Sequence, residues 1–177
     1  MTDEELMIRV QRKDTSAFSV LLGRHSAAIH AFVFRLTGNA ADAEDFTQET
    51  FLRVWSRADT WRPGRVKFTT WAYRIARNLC IDAWRSRRGS AADPETDVEE
   101  LAADAPSDDA GRTRRALEAA LAALPERQRT ALVLCHHQGW SNREAAQMLD
   151  VSVDALESLL SRARRSLRKT LAPYREA

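Results

Sequence analysis

The sequence predicts an all-α protein with two small helical domains joined by a flexible acidic linker, the second domain carrying a helix-turn-helix. Apolar residues recur at helical spacing on both sides of the middle of the 177-residue chain, and no stretch of any length alternates as a β-strand does. The middle itself, residues 89–111, is nearly devoid of large apolar side chains. Near the C-terminus, two short helical patterns follow one another across a tight turn.

The linker is predicted from the distribution of charge. Residues 1–88 hold 15 Lys/Arg against 10 Asp/Glu (net +5), residues 89–111 none against 8 (net −8), and residues 112–177 12 against 7 (net +5). The acidic block offers only Val98 and Leu101 for burial, too little to offset the entropy of ordering it. Fully extended, it would span roughly 75–80 Å, so domains 1–88 and 112–177 could occupy separate sites.

The first domain begins with recognisable helix signals. Thr2 and Glu5 form a capping-box pattern ahead of an apolar-periodic run. A second helical run follows from Ser16, and Gly38 is a plausible end for it.

The next helix, "DAEDFTQETFLRVW" at 42–55, has an unusual polar side. Its core-facing stripe contains Ala43, Phe46, Phe51, Val54 and Trp55. The opposite side aligns two carboxylates, an amide and a leucine at i, i+3, i+4 and i+7: Asp45, Gln48, Glu49 and Leu52. A solvated face normally mixes charge signs and avoids leucine, so the pattern leaves open what this stripe is for.

A basic and aromatic stretch follows. Residues 57–88 contain nine Arg/Lys against two Asp, interleaved with Trp61, Phe68, Trp71, Tyr73 and Trp84. Cations hold a nucleic-acid backbone and aromatic faces stack on unpaired bases, so the stretch favours contact with single-stranded or melted nucleic acid. The alternative is that the tryptophans are core residues and the arginines only solvate a surface, which we expect for Trp71 and Trp84.

The second domain contains "SNREAAQMLDVSVDALESLLSRARRSLRK" at 141–169. Ser141 and Ser152 can each cap a helix. Asp150 lies at the turn between them, where a residue that tolerates the left-handed backbone conformation is needed. In a helix-turn-helix the second helix lies in the major groove. Its outward face carries Asp154, Ala155, Ser158, Ser161, Arg162 and Arg165. An amphipathic hairpin without DNA-binding function is the alternative for this segment alone.

Other functional classes find little support. Cys80 and Cys135 have no metal or CxxC spacing, and the adjacent residues of "CHHQGW" diverge on a helix, so we expect neither a metal nor a cofactor. No catalytic constellation is present, which argues against an enzyme. The acidic N-terminus lacks a signal core, and no apolar run is long enough to suggest a membrane span, so a cytoplasmic protein is expected.

Together these segments resemble the extracytoplasmic-function (group IV) RNA polymerase sigma factors of the major sigma family. The resemblance covers the chain from about Glu5 to Leu171. It rests on "DAEDFTQETFLRVW", then "WAYRIARNLCIDAWRSRR", then "LPERQRTALVL" followed by "NREAAQMLDVS". One helix-turn-helix is a weak signal, but these motifs in this order are specific.

The resemblance implies an alternative sigma factor that binds core RNA polymerase and directs initiation at promoters with −10 and −35 elements. Domain 1–88 would be region 2, with Asp45, Gln48, Glu49 and Leu52 docking on the β′ clamp helices. The residues implied for −10 recognition and melting are Trp61, Arg62, Arg65, Lys67, Phe68, Arg74, Arg77, Asn78 and Arg85. Domain 112–177 would be region 4, packing on the β-flap. The residues implied for −35 DNA are Ser152, Asp154, Ala155, Glu157, Ser158, Ser161, Arg162 and Arg165.

The family resemblance also implies an acidic linker threading the RNA-exit path, no small-molecule substrate, and an anti-sigma factor, often membrane-bound, as a further partner. One departure concerns the −35 helix, where Glu157 and Leu159 stand in place of two cations that are common in the family. Glu157 could accept a hydrogen bond from a cytosine amine, or the −35 contact could be weak, and Leu159 could extend a partner surface. The alternative function is an autonomous helix-turn-helix regulator, which would have no need of the stripe on residues 45–52.

Overall fold

The protein is all-α in the residues that the structure, a computed structural model, describes, namely 1–90 and 109–174. This confirms the predicted fold class. The eight α-helices of these residues are α1 (Asp3–Gln11), α2 (Thr15–Thr37), α3 (Ala40–Ser56), α4 (Phe68–Ser90), α5 (Asp109–Ala122), α6 (Glu126–Leu132), α7 (Asn142–Leu149) and α8 (Val153–Leu171).

Helices α1 to α4 form the first unit of the structure, and the helix ends predicted there are present. Thr2 and Glu5 form a complete capping box at α1, with Thr2 N–H donating to Glu5 Oε2 at 2.7 Å. Helix α2 ends at Gly38, whose φ of 68° is the left-handed conformation that glycine adopts without a steric cost.

Helix α2 is the central helix of the first unit. Its apolar face, which includes Leu21, Ile29 and Phe32, is fully buried, and α2 packs against α1, α3 and α4. By length and composition alone α2 could cross a bilayer. Its tertiary contacts, among them the ion pair between Arg24 and Asp3 of α1 at 2.9 Å, are those of a core helix.

The second unit is built from α5 to α8, with α6 and α7 packed on α8. After α6 the chain makes one π-helical turn, Val133–His137, in which Gln138 N–H donates to Val133 O at 3.0 Å. Helices α7 and α8 form the predicted helix-turn-helix, and Asp150 between them has a φ of 55°. The local signals for this motif were therefore sufficient to predict its backbone.

The linker prediction needs a correction at both ends. Helix α4 continues to Ser90 and α5 begins at Asp109, so the first two and last three residues of the predicted linker, 89–111, are helical. Residues 91–108, the greater part of that segment, lie outside the described residues.

Candidate functional site

Helix α3 presents the predicted stripe on its outer side. Ala43, Phe51 and Val54 are buried against the neighbouring helices, and this burial fixes the rotation of α3. The residues of the opposite side are Asp45, Gln48, Glu49 and Leu52, called the docking stripe hereafter after the role that the family resemblance implies. All but Glu49 are exposed, and Glu49 is half-buried.

Leu52 is the apolar residue of the docking stripe, at its C-terminal end. Its relative exposure is 62%, whereas the other large apolar residues of α3 are buried or partly buried. Glu49 Oε1 accepts a hydrogen bond from Arg53 Nε at 2.7 Å, in a surface pair between residues i and i+4. Such pairs contribute little, so Glu49 can exchange Arg53 for a partner cation at small cost.

The loop before α4 corrects the prediction for two aromatic residues. Trp61 is 1% exposed, and its Nε1 donates to Val66 O at 3.1 Å. Phe68, the first residue of α4, is fully buried beside His25, with the ring centroids 5.2 Å apart. Neither side chain can stack on a DNA base, because both are already part of the core.

The cations of this loop remain at the surface. Arg62 and Arg65 are exposed, and Gly64 between them has a φ of 79°, which turns the loop back toward α4. Gln11 of α1 holds the start of the loop by donating to Ala58 O at 2.9 Å and Trp61 O at 2.8 Å. The loop therefore offers guanidinium groups on a rigid support.

On α4, the predicted nucleic-acid residues divide into two groups. Asn78 and Arg85 are exposed. Arg74 and Arg77 are half-buried because α6 and α7 of the second unit cover them. Arg77 makes a bidentate ion pair with Glu126, Nε–Oε1 2.7 Å and Nη2–Oε2 2.9 Å.

Two further cations of the first unit, Lys67 and Arg74, also contact oxygen atoms of the second unit. Lys67 Nζ lies 2.9 Å from Glu144 Oε1. This bond is the main reason that the pKa of Glu144 falls to about 2, and Ser141 lowers it further. Glu144 in turn raises the pKa of Lys67. Arg74 donates to two carbonyl oxygens at the end of α7, those of Gln147 and Met148.

The outward face of α8 is exposed, and it is called the reading face hereafter after the −35 role that the family resemblance implies. Ser152 caps α8 by accepting from Ala155 N–H at 3.1 Å. All the outward residues predicted for this face are exposed: Ser152, Asp154, Ala155, Glu157, Ser158, Ser161, Arg162 and Arg165. Leu156, Leu160 and Ala163 are buried on the opposite side.

The two residues that depart from the family pattern differ in environment. Glu157 is exposed and accepts from Asn142 Nδ2 at 3.4 Å, so it lies beside the start of α7. Leu159 is partly buried and packs against the core. A partner surface centred on Leu159 is therefore a poorer explanation than packing.

The thiols and imidazoles form no evident reactive centre. Burial raises the pKa of Cys80 to about 12, and burial also raises that of Cys135. His136 Nε2 is 2.9 Å from Arg164 Nη2. In the described part of the chain no three His, Cys, Asp or Glu side chains could hold a metal ion together.

The sequence did not predict that residues of the second unit contact α4 and the loop before it. Glu126, Gln138 and Trp140 contact α4 residues, Glu144 contacts Lys67 just before α4, and none of these contacts was predicted. The structure contains a capping box formed by Ser141 and Glu144, of which the sequence predicted only the Ser141 cap. No local pattern signals that Glu144 also meets Lys67, 77 residues earlier.

Comparison with known proteins gives a consistent result. Residues 21–90 match the family model "Sigma-70 region 2" and residues 114–167 match "Sigma-70, region 4". The chain is 37% identical over 174 residues to the ECF RNA polymerase sigma factor SigF of Caulobacter vibrioides, covering 94% of this chain and 95% of that protein. It is also 37% identical over 161 residues to SigE of Mycolicibacterium smegmatis, covering 87% of this chain but 61% of that longer protein.

Two solved structures resemble the whole fold. CnrH, in complex with the cytosolic domain of CnrY, superposes with a TM-score of 0.74 at 28% identity, covering 97% of both chains. The sigma factor RpoE of Bartonella quintana, in complex with the anti-sigma factor NepR, gives a TM-score of 0.69 at 27% identity, covering 88% of this chain and 96% of that one.

Proposed function

The chain belongs to the extracytoplasmic-function family of RNA polymerase sigma factors. From that premise we propose which of its surfaces binds the polymerase and which contact each promoter element. As an alternative sigma factor it binds core RNA polymerase and directs transcription to promoters. Domain 1–88 docks on the polymerase and engages the −10 element, segment 89–111 connects, and domain 112–177 reads the −35 element. The two matched segments, 21–90 and 114–167, support this division.

The docking stripe carries the proposal. Leu52 is 62% exposed at the C-terminal end of the stripe, after Asp45 and Glu49, on a helix whose remaining large apolar residues contribute to the core. An apolar anchor at the end of an acidic stripe suits a partner helix that presents an apolar residue beside cations. We assign this role to the clamp helices of the polymerase β′ subunit. The stripe gives the fold no evident benefit, because Leu52 contributes little burial.

The −10 surface consists of the cations around α4. With Trp61 and Phe68 removed from the set, the residues proposed to contact the −10 strand are Arg62, Arg65, Lys67, Arg74, Arg77, Asn78 and Arg85. Guanidinium and ammonium groups contact phosphates irrespective of sequence, so these residues position the melted strand. Base recognition then falls to the exposed loop 62–67.

The −35 surface is the reading face of α8. Arg162 and Arg165 are exposed toward the middle of the helix, where they would hold phosphates, and Ser158 and Ser161 lie between them and the N-terminal half. We propose that the exposed Glu157 accepts a hydrogen bond from a cytosine amine in the major groove. Glu157 has no counterpart in the cationic pattern common to the family, so it is proposed to set this protein's −35 preference.

The protein itself makes no covalent bond in this scheme. The polymerase supplies the chemistry, and no cofactor or small-molecule substrate is required. Like its family, the protein acts on RNA polymerase in the cytoplasm. We further propose an anti-sigma factor as partner, since RpoE is solved with one, and CnrY's cytosolic domain suggests that such a partner can be held at the membrane.

Run-off transcription tests the proposal. Purified bacterial core polymerase is supplied with fragmented genomic DNA, with and without this protein. Discrete transcripts that require both components are expected. An Asp45→Lys/Glu49→Lys variant should abolish them while keeping its helical circular dichroism. Tight duplex binding by the protein alone, without core-dependent transcripts, would instead establish an autonomous helix-turn-helix regulator.

A further inference from the structure

Asn142 lies between the side chain of Glu157 on the reading face and that of Cys135 in the π-helical turn. Its Nδ2 donates to Glu157 Oε1 at 3.4 Å, and its Oδ1 accepts from the Cys135 thiol at 3.7 Å. Within the described residues, Asn142 is the only hydrogen-bond partner of the Glu157 side chain. The π-helical turn, α7 and α8 therefore meet at this one amide.

The two neighbours of the Asn142 amide have opposite hydrogen-bonding character, and this fixes which way the amide faces. A carboxylate only accepts hydrogen bonds, so Glu157 requires the NH2 group of the amide. Burial raises the pKa of Cys135, so its thiol stays protonated at neutral pH and can donate to the amide oxygen. Turning the amide over would place its oxygen against the Glu157 carboxylate. Asn142 is therefore restrained in the orientation that holds Glu157.

The backbone of Asn142 is also held in place. Asn142 is the first residue of α7, directly after the N-cap residue Ser141. Ser141 Oγ accepts from Glu144 N–H at 3.3 Å, and Ser141 N–H donates to Glu144 Oε2 at 3.1 Å. In the same turn of α7, Ala145 and Ala146 are buried in the core. Asn142 therefore presents its amide to Glu157 from a fixed position.

The bond to Asn142 restrains a side chain that would otherwise be mobile. An exposed glutamate samples many rotamers, and this freedom is lost when it binds a base. The bond occupies Oε1 of Glu157, and Oε2 has no hydrogen-bond partner among the described residues. Oε2 can therefore accept from a cytosine amine while Oε1 keeps the carboxylate in place. Part of the rotamer freedom is then already lost before DNA binds.

We infer that Asn142 is a positioning residue for −35 recognition, which holds the Glu157 carboxylate in the orientation that accepts a hydrogen bond from a base. The inference rests on the proposed role of Glu157 in setting the −35 preference. Asn142 needs no contact with DNA in this role, because it acts through Glu157. Removing its amide should weaken the preference for one base and leave the affinity for other sequences nearly unchanged.

The test uses the full chain bound to core polymerase and a promoter obtained from the run-off transcripts, with its −35 element randomised. Sequencing of the bound fragments gives the preference for cytosine over the next best base at each position. Glu157→Ala should abolish this preference at one position. Asn142→Ala should reduce it there about two- to fivefold, the effect expected from freeing one long side chain. Arg143→Ala, an exposed neighbour on α7, is the matched control and should leave every base preference unchanged.

Asn142→Asp separates positioning from helix stability. Aspartate is favourable in the first turn of a helix, so α7 should stay folded, and thermal unfolding measures this. The aspartate cannot donate to Glu157 and places a like charge beside it. The base preference should therefore fall at least as far as in Asn142→Ala.

A weakened preference at the same position in Glu157→Ala, Asn142→Ala and Asn142→Asp, but not in Arg143→Ala, supports the inference. Combining Asn142→Ala with Glu157→Ala should cause no loss beyond that of Glu157→Ala, because one residue acts through the other. A full wild-type preference in Asn142→Asp, or an equal loss at every position in Asn142→Ala, overturns the inference. Failure of the proposed function is distinguishable, because wild-type protein then gives no core-dependent transcripts or Glu157→Ala leaves the profile unchanged.

Discussion

Truncating Leu52 to alanine separates docking from folding. The side chain is already 62% exposed in the free protein, so the fold loses only the smaller, buried part of its contacts. Full burial of a leucine side chain contributes about 1.5–3 kcal/mol, so the cost to folding stability should stay under about 1 kcal/mol. Thermal unfolding should therefore change little.

The cost to polymerase binding should be larger. If the partner covers the exposed 62%, the lost burial is worth about 1–2 kcal/mol, which makes the dissociation constant about five to thirty times larger. The increase should come mainly from faster dissociation, as is usual when one contact of an interface is removed.

The assay is direct binding of labelled protein to purified core polymerase. Leu22→Ala is the matched control, because Leu22 is a 39% exposed leucine on α2, outside the docking stripe. The expected result is weaker binding for Leu52→Ala alone. Equal affinities for the wild type and both variants would falsify the docking role of this leucine.

Three further predictions concern charge. Asp45→Lys with Glu49→Lys should weaken core binding, more at low than at high salt, because exposed pairs are screened. Arg162→Ala should weaken binding to −35 duplexes about equally for all sequences. It should also reduce, by about one, the slope of log binding constant against log salt concentration, measured by titration at several salt concentrations. Glu157→Lys should change the sequences that the protein selects from a random duplex pool. Because the pKa of Glu144 is lowered to about 2 from 4.5, its stabilising contribution is complete above pH 4.5 and lost as pH falls toward 2, and Glu144→Gln should flatten this part of the unfolding free energy profile.

Each of these predictions has a result that would contradict it. A salt-independent loss of core binding in the Asp45/Glu49 variant would indicate a folding defect rather than lost ion pairs. An unchanged salt slope for Arg162→Ala would remove it from the phosphate contacts, and an unchanged selection profile would mean that Glu157 faces away from the groove. Identical acid profiles for wild type and Glu144→Gln would show that the Lys67 bond is not maintained in solution.

Local features of the fold were predictable because they depend on neighbours along the chain. The Thr2 box, the Gly38 helix end and the Asp150 turn follow from backbone preferences and hydrogen bonds spanning a few residues. The outward stripe on α3 followed from helical periodicity, since three buried residues fix where Leu52 must point. The helical continuation to Ser90 was not predicted, because the linker was assigned from the composition of residues 89–111 taken together, and composition does not mark the residue at which a helix ends.

The sequence by itself determined the helices, their caps, the helix-turn-helix and the exposed docking stripe, because periodicity and capping act within one or two helical turns. Only the tertiary structure decided that Trp61 and Phe68 belong to the core, since composition cannot tell a stacking aromatic from a packed one. It also brought Arg77 to Glu126 across 49 residues. Such a pairing depends on how two separately folded surfaces meet, and no local pattern encodes it.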